Sequence, residues 1–147
     1  MRILELGCGD LKDANNMQGK VIAIDKKIVC KPAHNVTAIE ADYFDIQLEG
    51  DFDLIYSNYS LCFNTKVKIE DRLPKILAHL KPGGIFLVRD FHTEDKVVKK
   101  RTNIHAPWFF DLVKKYVGPI TVSDEKIFEA EHSHEHHIFS LKAKKSK

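Results

Sequence analysis

The chain is poor in cysteine, in long apolar runs and in net charge, and each shortage removes a class of function. Its three cysteines, Cys8, Cys30 and Cys62, include no CxxC pair. An odd, scattered set argues against a disulfide framework or a structural zinc site, and for small packed thiols. No apolar run approaches the ~20 residues of a membrane-spanning helix. Met1 leads straight into an apolar strand pattern with no signal-peptide features. The expectation is a cytoplasmic chain without a membrane partner. Twenty-three basic and 21 acidic residues leave a net charge of +2, too little to argue for nucleic acid. At 147 residues, one domain is expected over 1–147.

A further absence decides more. The segment Ile3-Leu4-Glu5-Leu6-Gly7-Cys8-Gly9-Asp10 is a buried strand feeding a glycine turn, the start of a nucleotide-type sheet. The dinucleotide fingerprint needs a third glycine three residues after the second, and Lys12 stands there. A pyrophosphate also needs a turn free of negative charge. Glu5 and Asp10 would repel it. They suit a cofactor with a cationic or amine-bearing group, such as S-adenosylmethionine, which carries a sulfonium and no phosphate.

Two more apolar runs end in acids. Val21-Ile22-Ala23-Ile24-Asp25, followed by Lys26, puts a carboxylate where such sheets hold both ribose hydroxyls. Val36 to Asp42 repeats the pattern, with Asp42 suited to the adenine amino group and Tyr43 or Phe44 suited to lie beside the ring.

With ELGCGD, the acid of AID, the AD of EADYFD, FDLIYSNYSLCF and LKPGGIFLV in this order, the chain resembles the class I S-adenosylmethionine-dependent methyltransferases over nearly its whole length. SNYSLCF and EHSHEHH point within that family to the small-molecule, tellurite-resistance-like branch. The resemblance implies an α/β, Rossmann-like methyltransferase sandwich. Its mostly parallel seven-stranded sheet would carry an antiparallel last strand. It also implies methyl transfer to a small-molecule acceptor.

Strands are expected near 2–6, 20–25, 36–40, 52–57 and 84–89. Ile69, Leu73, Ile76, Leu77 and Leu80 have helical spacing from Lys66 to Leu80, with Pro74 expected to interrupt or kink it. A second helix begins at Pro107 and stops before Gly118-Pro119. Lys126–Ala130 and Ile138–Leu141 read as strands of a closing hairpin. Ten residues separate Asp25 from Val36, too few for an ordinary helical crossover. Asn15 and Asn16 weaken any helix after Gly9. The fold is therefore expected to be trimmed in its N-terminal and connecting helices, with exposed faces covered in a homodimer.

The ligand crevice of such sheets opens at the carboxyl ends of the strands. Glu5, Gly7 and Gly9 are expected at the methionine end, with Asp25, Lys26, Asp42, Tyr43 and Asn58 along the rest. Asn58-Tyr59-Ser60-Leu61 lacks the prolines of the Asn/Asp-Pro-Pro-aromatic motif of relatives that modify amide or base nitrogens, which disfavours that chemistry. Tyr59, His92 and His105 are the catalytic candidates. An imidazole can take a proton from an attacking hydroxyl, whereas a soft nucleophile needs only to be held in line. His132, His134 and His136 would share one strand face and could hold zinc or nickel, but the plainer expectation is a polar hairpin turn and no resident metal. Two other readings stand beside the small-molecule enzyme: a non-catalytic cofactor-binding or scaffold subunit, and a protein methyltransferase.

Overall fold

The computed structural model describes residues 1–98, 100–130 and 134–147. Seven strands form one sheet: β1 (Arg2–Leu6), β2 (Lys20–Asp25), β3 (Val36–Glu40), β4 (Phe52–Asn58), β5 (Leu80–Phe91), β6 (Ile120–Glu129) and β7 (His134–Lys144). Their order across the sheet is β3-β2-β1-β4-β5-β7-β6. The first five run parallel, and β7 lies antiparallel between β5 and β6. The order reverses at β1, between β2 and β4, which is where an open α/β sheet forms its crevice.

Alternation along the strands divides the chain between two faces. Leu4, Leu6, Ile24, Ile55, Phe86 and Val88 point to one face and join the main core. Helices α1 (Lys66–Leu77) and α2 (Pro107–Tyr116) cover it with Ile69, Leu73, Phe109 and Val113. Ile3, Val21, Ala23 and Val36 point the other way, into a smaller cluster with Leu11 and Ala14. No α-helix among the described residues covers that second face.

The trimmed connections are as expected. Only a single 3-10 turn, Ala14–Asn16, follows the glycine loop. The poor helix formers there do other work. Asn15 accepts from the Ala33 N–H at 2.8 Å and donates to the Lys31 carbonyl. Asn35 donates to the carbonyls of Met17 and Gly19. These side chains satisfy loop backbone that a helix would have satisfied itself.

Two expected boundaries differ. Helix α1 ends at Leu77, and Leu80 already belongs to β5, opposite Phe52. Gly83, with φ +80°, carries β5 through an irregular turn before regular pairing resumes at Ile85. Pro74 neither splits nor ends α1. It lies in the last turn, where it removes one hydrogen bond from a helix already capped by Thr65 and buried along one side. The closing hairpin is longer than expected, because the added stretch of β6 from Ser123 to Glu125 is polar and exposed and carries no apolar signal.

Candidate cofactor and active site

Beyond β1 the chain turns through Gly7 (φ +75°) and Gly9 (φ +52°). Both values favour glycine. Gly7 is also needed for space, because a Cβ there would stand 2.1 Å from Ser60 Oγ and 2.4 Å from Ser60 Cβ. A Cβ on Gly9 would meet nothing within 4 Å. The first glycine thus lets the loop close onto the β4 turn, and the second borders open space.

That space is a crevice of about 360 Å³, within the range of small-molecule sites. Gly7, Gly9, Asp25, Lys26, Asp42, Tyr43, Asn58 and Tyr59 line it, together with Ser60, Phe63 and Asn64. Of the expected cofactor residues only Glu5 is missing from the wall. It lies just beneath, on β1 beside Tyr56, and is 2% exposed.

Glu5 is the most unusual group in the protein. Neither carboxyl oxygen has a hydrogen-bond partner among the described residues. Burial, reinforced by Asp13, Asp10 and Asp25, pushes its pKa up to about 8. A buried acid among other acids is costly to ionise unless a cation comes to it. Close by, Asn58 donates to Asp13 Oδ2 at 3.0 Å, while its own Oδ1 is buried without a partner among the described residues. The floor of the crevice therefore presents unused acceptors and repels anions.

Asp25 Oδ2 accepts from the Gly9 N–H at 2.8 Å, tying the glycine loop to the end of β2. Asp42 accepts from the Phe44 N–H and pairs with Lys68 at 2.7 Å, with Lys26 at 3.9 Å. Burial alone would raise the Asp42 pKa, but Lys68, the Phe44 N–H and Lys26 outweigh it and hold it below the usual value. Tyr43 is buried, with its hydroxyl paired to Ser60 Oγ at 2.8 Å and accepting from Asn64 at 2.9 Å. Phe44, the alternative ring neighbour, lies in the main core.

Sequence reasoning missed Ser60, Phe63, Asn64 and Lys68. The aromatic Phe63, 61% exposed at the crevice, left a signal in SLCFN. Lys68 left none, since one lysine among many on α1 looks like solvated surface.

The catalytic candidates separate. Tyr59 lines the crevice with φ +55°, a strained value for a residue with a side chain. Its ring packs on Phe91 at 5.1 Å. His92 and His105 do not line the crevice. They fall on the face covered by α2, where His92 stacks between His105 and His137 at 3.7 Å on each side. His105 packs there against Phe110 and Phe139. Burial first, then the neighbouring His92, lowers the His105 pKa. For His92 the reason is strand alternation: Phe91 packs under Tyr59, so His92 takes the other face. His134 and His136 share a face of β7, and His132 lies outside the described residues.

The family model for a methyltransferase domain matches residues 1–139. The chain belongs to that family. No curated protein matches it by sequence. Among solved structures, the chain resembles the Burkholderia thailandensis 1,6-didemethyltoxoflavin-N1-methyltransferase, with bound 1,6-didemethyltoxoflavin and S-adenosylhomocysteine. The TM-score is 0.73 at 18% identity, over 99% of this chain and 71% of the other. TehB from Haemophilus influenzae gives a TM-score of 0.76 at 12% identity, over 99% of this chain and 57% of the other. Haemonchus contortus phosphoethanolamine N-methyltransferase 2, in complex with S-adenosylmethionine, gives 0.73 at 14% identity, over 100% and 49%. These likenesses establish the Rossmann-like methyltransferase fold. The chemistry of the crevice fits the cofactor of such enzymes. Glu5 and Asn58 offer unpaired acceptors to a cation or amine, and Asp25 offers an acceptor to ribose.

Proposed function

We propose that the protein transfers a methyl group from S-adenosylmethionine to a small-molecule acceptor within a single domain spanning 1–147. The observation that carries this reading is Glu5: a buried carboxyl with no hydrogen-bond partner among the described residues, beneath a glycine turn and a crevice lined by Asp25 and Asp42. Dinucleotide phosphates would be repelled there, whereas a cationic cofactor would draw Glu5 into its charged form. Glu5, Gly7, Gly9 and Asn58 would hold the methionine end. Asp25 and Lys26 would hold the ribose, and Asp42 and Tyr43 the adenine, with exposed Phe63 beside it.

The cofactor supplies an electrophilic methyl. The chain's part is alignment. No histidine lines the crevice among the described residues. Tyr59, whose pKa burial raises, is a poor base at neutral pH. We therefore assign His92 and His105 no part in the chemistry. The acceptor brings its own lone pair, as an amine or a soft nucleophile does, and Tyr59 shapes the wall against which it lies.

Calorimetry tests the cofactor: S-adenosylhomocysteine should bind and NAD should not. Tight NAD binding, or no binding of either cofactor product or donor, would overturn the reading. Release of S-adenosylhomocysteine across a panel of amines, thiols and selenols tests the acceptor class.

Two further features support a cellular setting. Cys8, Cys30 and Cys62 are all free thiols, which suits a reducing compartment such as the cytoplasm. No helix among the described residues is long and apolar enough to cross a membrane. Leu54, Tyr56, Ile85 and Leu87 are half-buried on the sheet face that no α-helix covers, and a second copy of the chain would bury them. Light scattering at micromolar concentration should then give twice 16.9 kDa; a monomer mass would remove the dimer.

A further inference from the structure

The β6–β7 hairpin brings together three ligand atoms that local sequence does not join. Glu129 lies directly opposite His134 in the antiparallel register, and Ile127 lies opposite His136. Glu129, His134 and His136 therefore share one face. His136 Nε2 is 2.9 Å from Glu129 Oε2 and 2.9 Å from His134 Nε2, and His134 Nε2 is 3.1 Å from the same Oε2.

A residue from outside the hairpin settles which nitrogen of His136 is available. Asp95, in the loop after β5, has a fully buried side chain. Its Oδ1 accepts from the N–H groups of Val97 and Val98, and its Oδ2 from the His137 N–H at 2.9 Å. A carboxylate so surrounded by donors is an acceptor toward His136 Nδ1, 3.0 Å away. In the neutral ring the proton of His136 is thereby held on Nδ1, and Nε2 faces Glu129 and His134 with its lone pair. A buried carboxylate orienting an imidazole whose other nitrogen faces further ligands is the arrangement that supports metal-bound histidines.

We propose that Glu129, His134 and His136 bind a zinc-class divalent cation, with Asp95 as the positioning residue behind His136. An imidazole lone pair and a carboxylate oxygen at 2.9 Å repel each other unless positive charge lies between them. A proton relieves one edge of the triangle, whereas a metal ion relieves all three. Two imidazoles and one carboxylate suit zinc, nickel or copper(II) over magnesium or calcium. Ligand atoms about 2.1 Å from zinc stand roughly 3.4 Å apart in tetrahedral geometry, so the triangle needs to open by about half an ångström or less.

The neighbouring histidine stack fails the same test. His92 and His105 direct Nε2 toward Asp124, at 3.4 and 3.7 Å. Their Nδ1 atoms accept backbone N–H groups, from Glu94 and Thr93 respectively. That leaves the ring protons on Nε2, facing Asp124, with no lone pair there for a metal. The proposed ion would clamp the end of the hairpin and brace the Asp95 loop. Phe91 stands between this site and Tyr59 of the crevice, packed on His136 at 5.3 Å.

The test is titration of the whole chain, stripped with a chelator, with zinc sulfate against a competing chromophoric chelator, alongside thermal melts. One zinc per chain is expected, with the Tm raised by several degrees, because only the folded triangle is preorganised. His136→Gln and Glu129→Gln should each weaken zinc at least tenfold, with His134→Gln as the substitute if either fails to fold. His92→Gln should leave zinc affinity unchanged. Zinc bound equally well by folded His136→Gln would mean only adventitious chelation by the histidine-rich segment and would overturn the proposal. So would an unchanged Tm, or loss of binding in His92→Gln. None of these readouts depends on methyl transfer.

Discussion

The Gly9 N–H donates to Asp25 Oδ2 across 2.8 Å, so the glycine turn and the acid at the end of β2 are one unit. Asp25→Ala should therefore cost more than a ligand contact. It removes the carboxylate oxygens proposed to hold the ribose, each worth about 1.5–3 kcal/mol when charge-assisted, and it leaves the Gly9 N–H without its partner. Calorimetry with S-adenosylhomocysteine should show at least a tenfold loss of affinity. Asn in place of Asp25 keeps one carbonyl oxygen and should lose less. Affinity unchanged in the Ala variant would remove Asp25 from the site.

Glu5 predicts the pH dependence. Its folded-state pKa, raised to about 8, lies well above that of an exposed glutamate. The folded protein thus holds this proton more tightly than the unfolded chain does. The stability contributed is complete below the unfolded pKa and is lost as pH rises toward 8. Melts from pH 5 to 9 should show a Tm that falls with pH in the wild type and falls less in Glu5→Gln, which should be the more stable protein at pH 8.5. Cofactor affinity runs the other way: as pH rises from 6.5 to 8.5, Glu5 ionises more easily and a cationic ligand should bind more tightly. In Glu5→Gln that slope should flatten. A wild-type affinity independent of pH would show that Glu5 does not face the ligand's charge.

Gly7 and Ser60 make a steric prediction. Gly7→Ala places a Cβ against both Ser60 Oγ and Ser60 Cβ, so rotating the serine cannot clear it. The left-handed backbone adds a cost of about 1–3 kcal/mol. The Tm should fall clearly. Ser60→Gly in the same chain should restore part of it, because the clash goes while the backbone strain stays. Recovery to the full wild-type value would mean that φ at residue 7 relaxes.

His105→Gln should leave S-adenosylhomocysteine affinity within about twofold, under half a kcal/mol, since the ring packs on Phe110 and Phe139 away from the crevice. A larger loss in the folded variant would mean that the histidine stack reaches the ligand.

Gly7, Gly9, Asp25 and Asp42 were legible in the sequence because a parallel strand announces itself as an apolar run, and its carboxyl end marks the crevice. Each signal is local, lying within a few residues of a turn. The strands β1 to β4 and helix α2 were readable for the same reason. Leu80 went to β5 instead of α1 because Phe52, twenty-eight residues earlier, pairs with it. His92 and His105 were misplaced because the side of a sheet that a loop residue joins depends on the last strand position before it and on what packs above. Pattern alone reports residue types, not faces.

The sequence by itself determined that this chain folds as a methyltransferase-type sheet and where the acids at its strand ends stand. It could do so because strand burial and turn geometry are written in neighbouring residues. Tertiary structure alone decided that Lys68 pairs with Asp42, that Ser60 closes onto Gly7, and that Asp95 orients His136 toward Glu129 and His134. The first three of those contacts span 26, 53 and 41 positions, and they form only where segments distant in the chain meet beyond the strand ends. Register, which turns every side chain to one face or the other, is settled by the packing of the whole sheet.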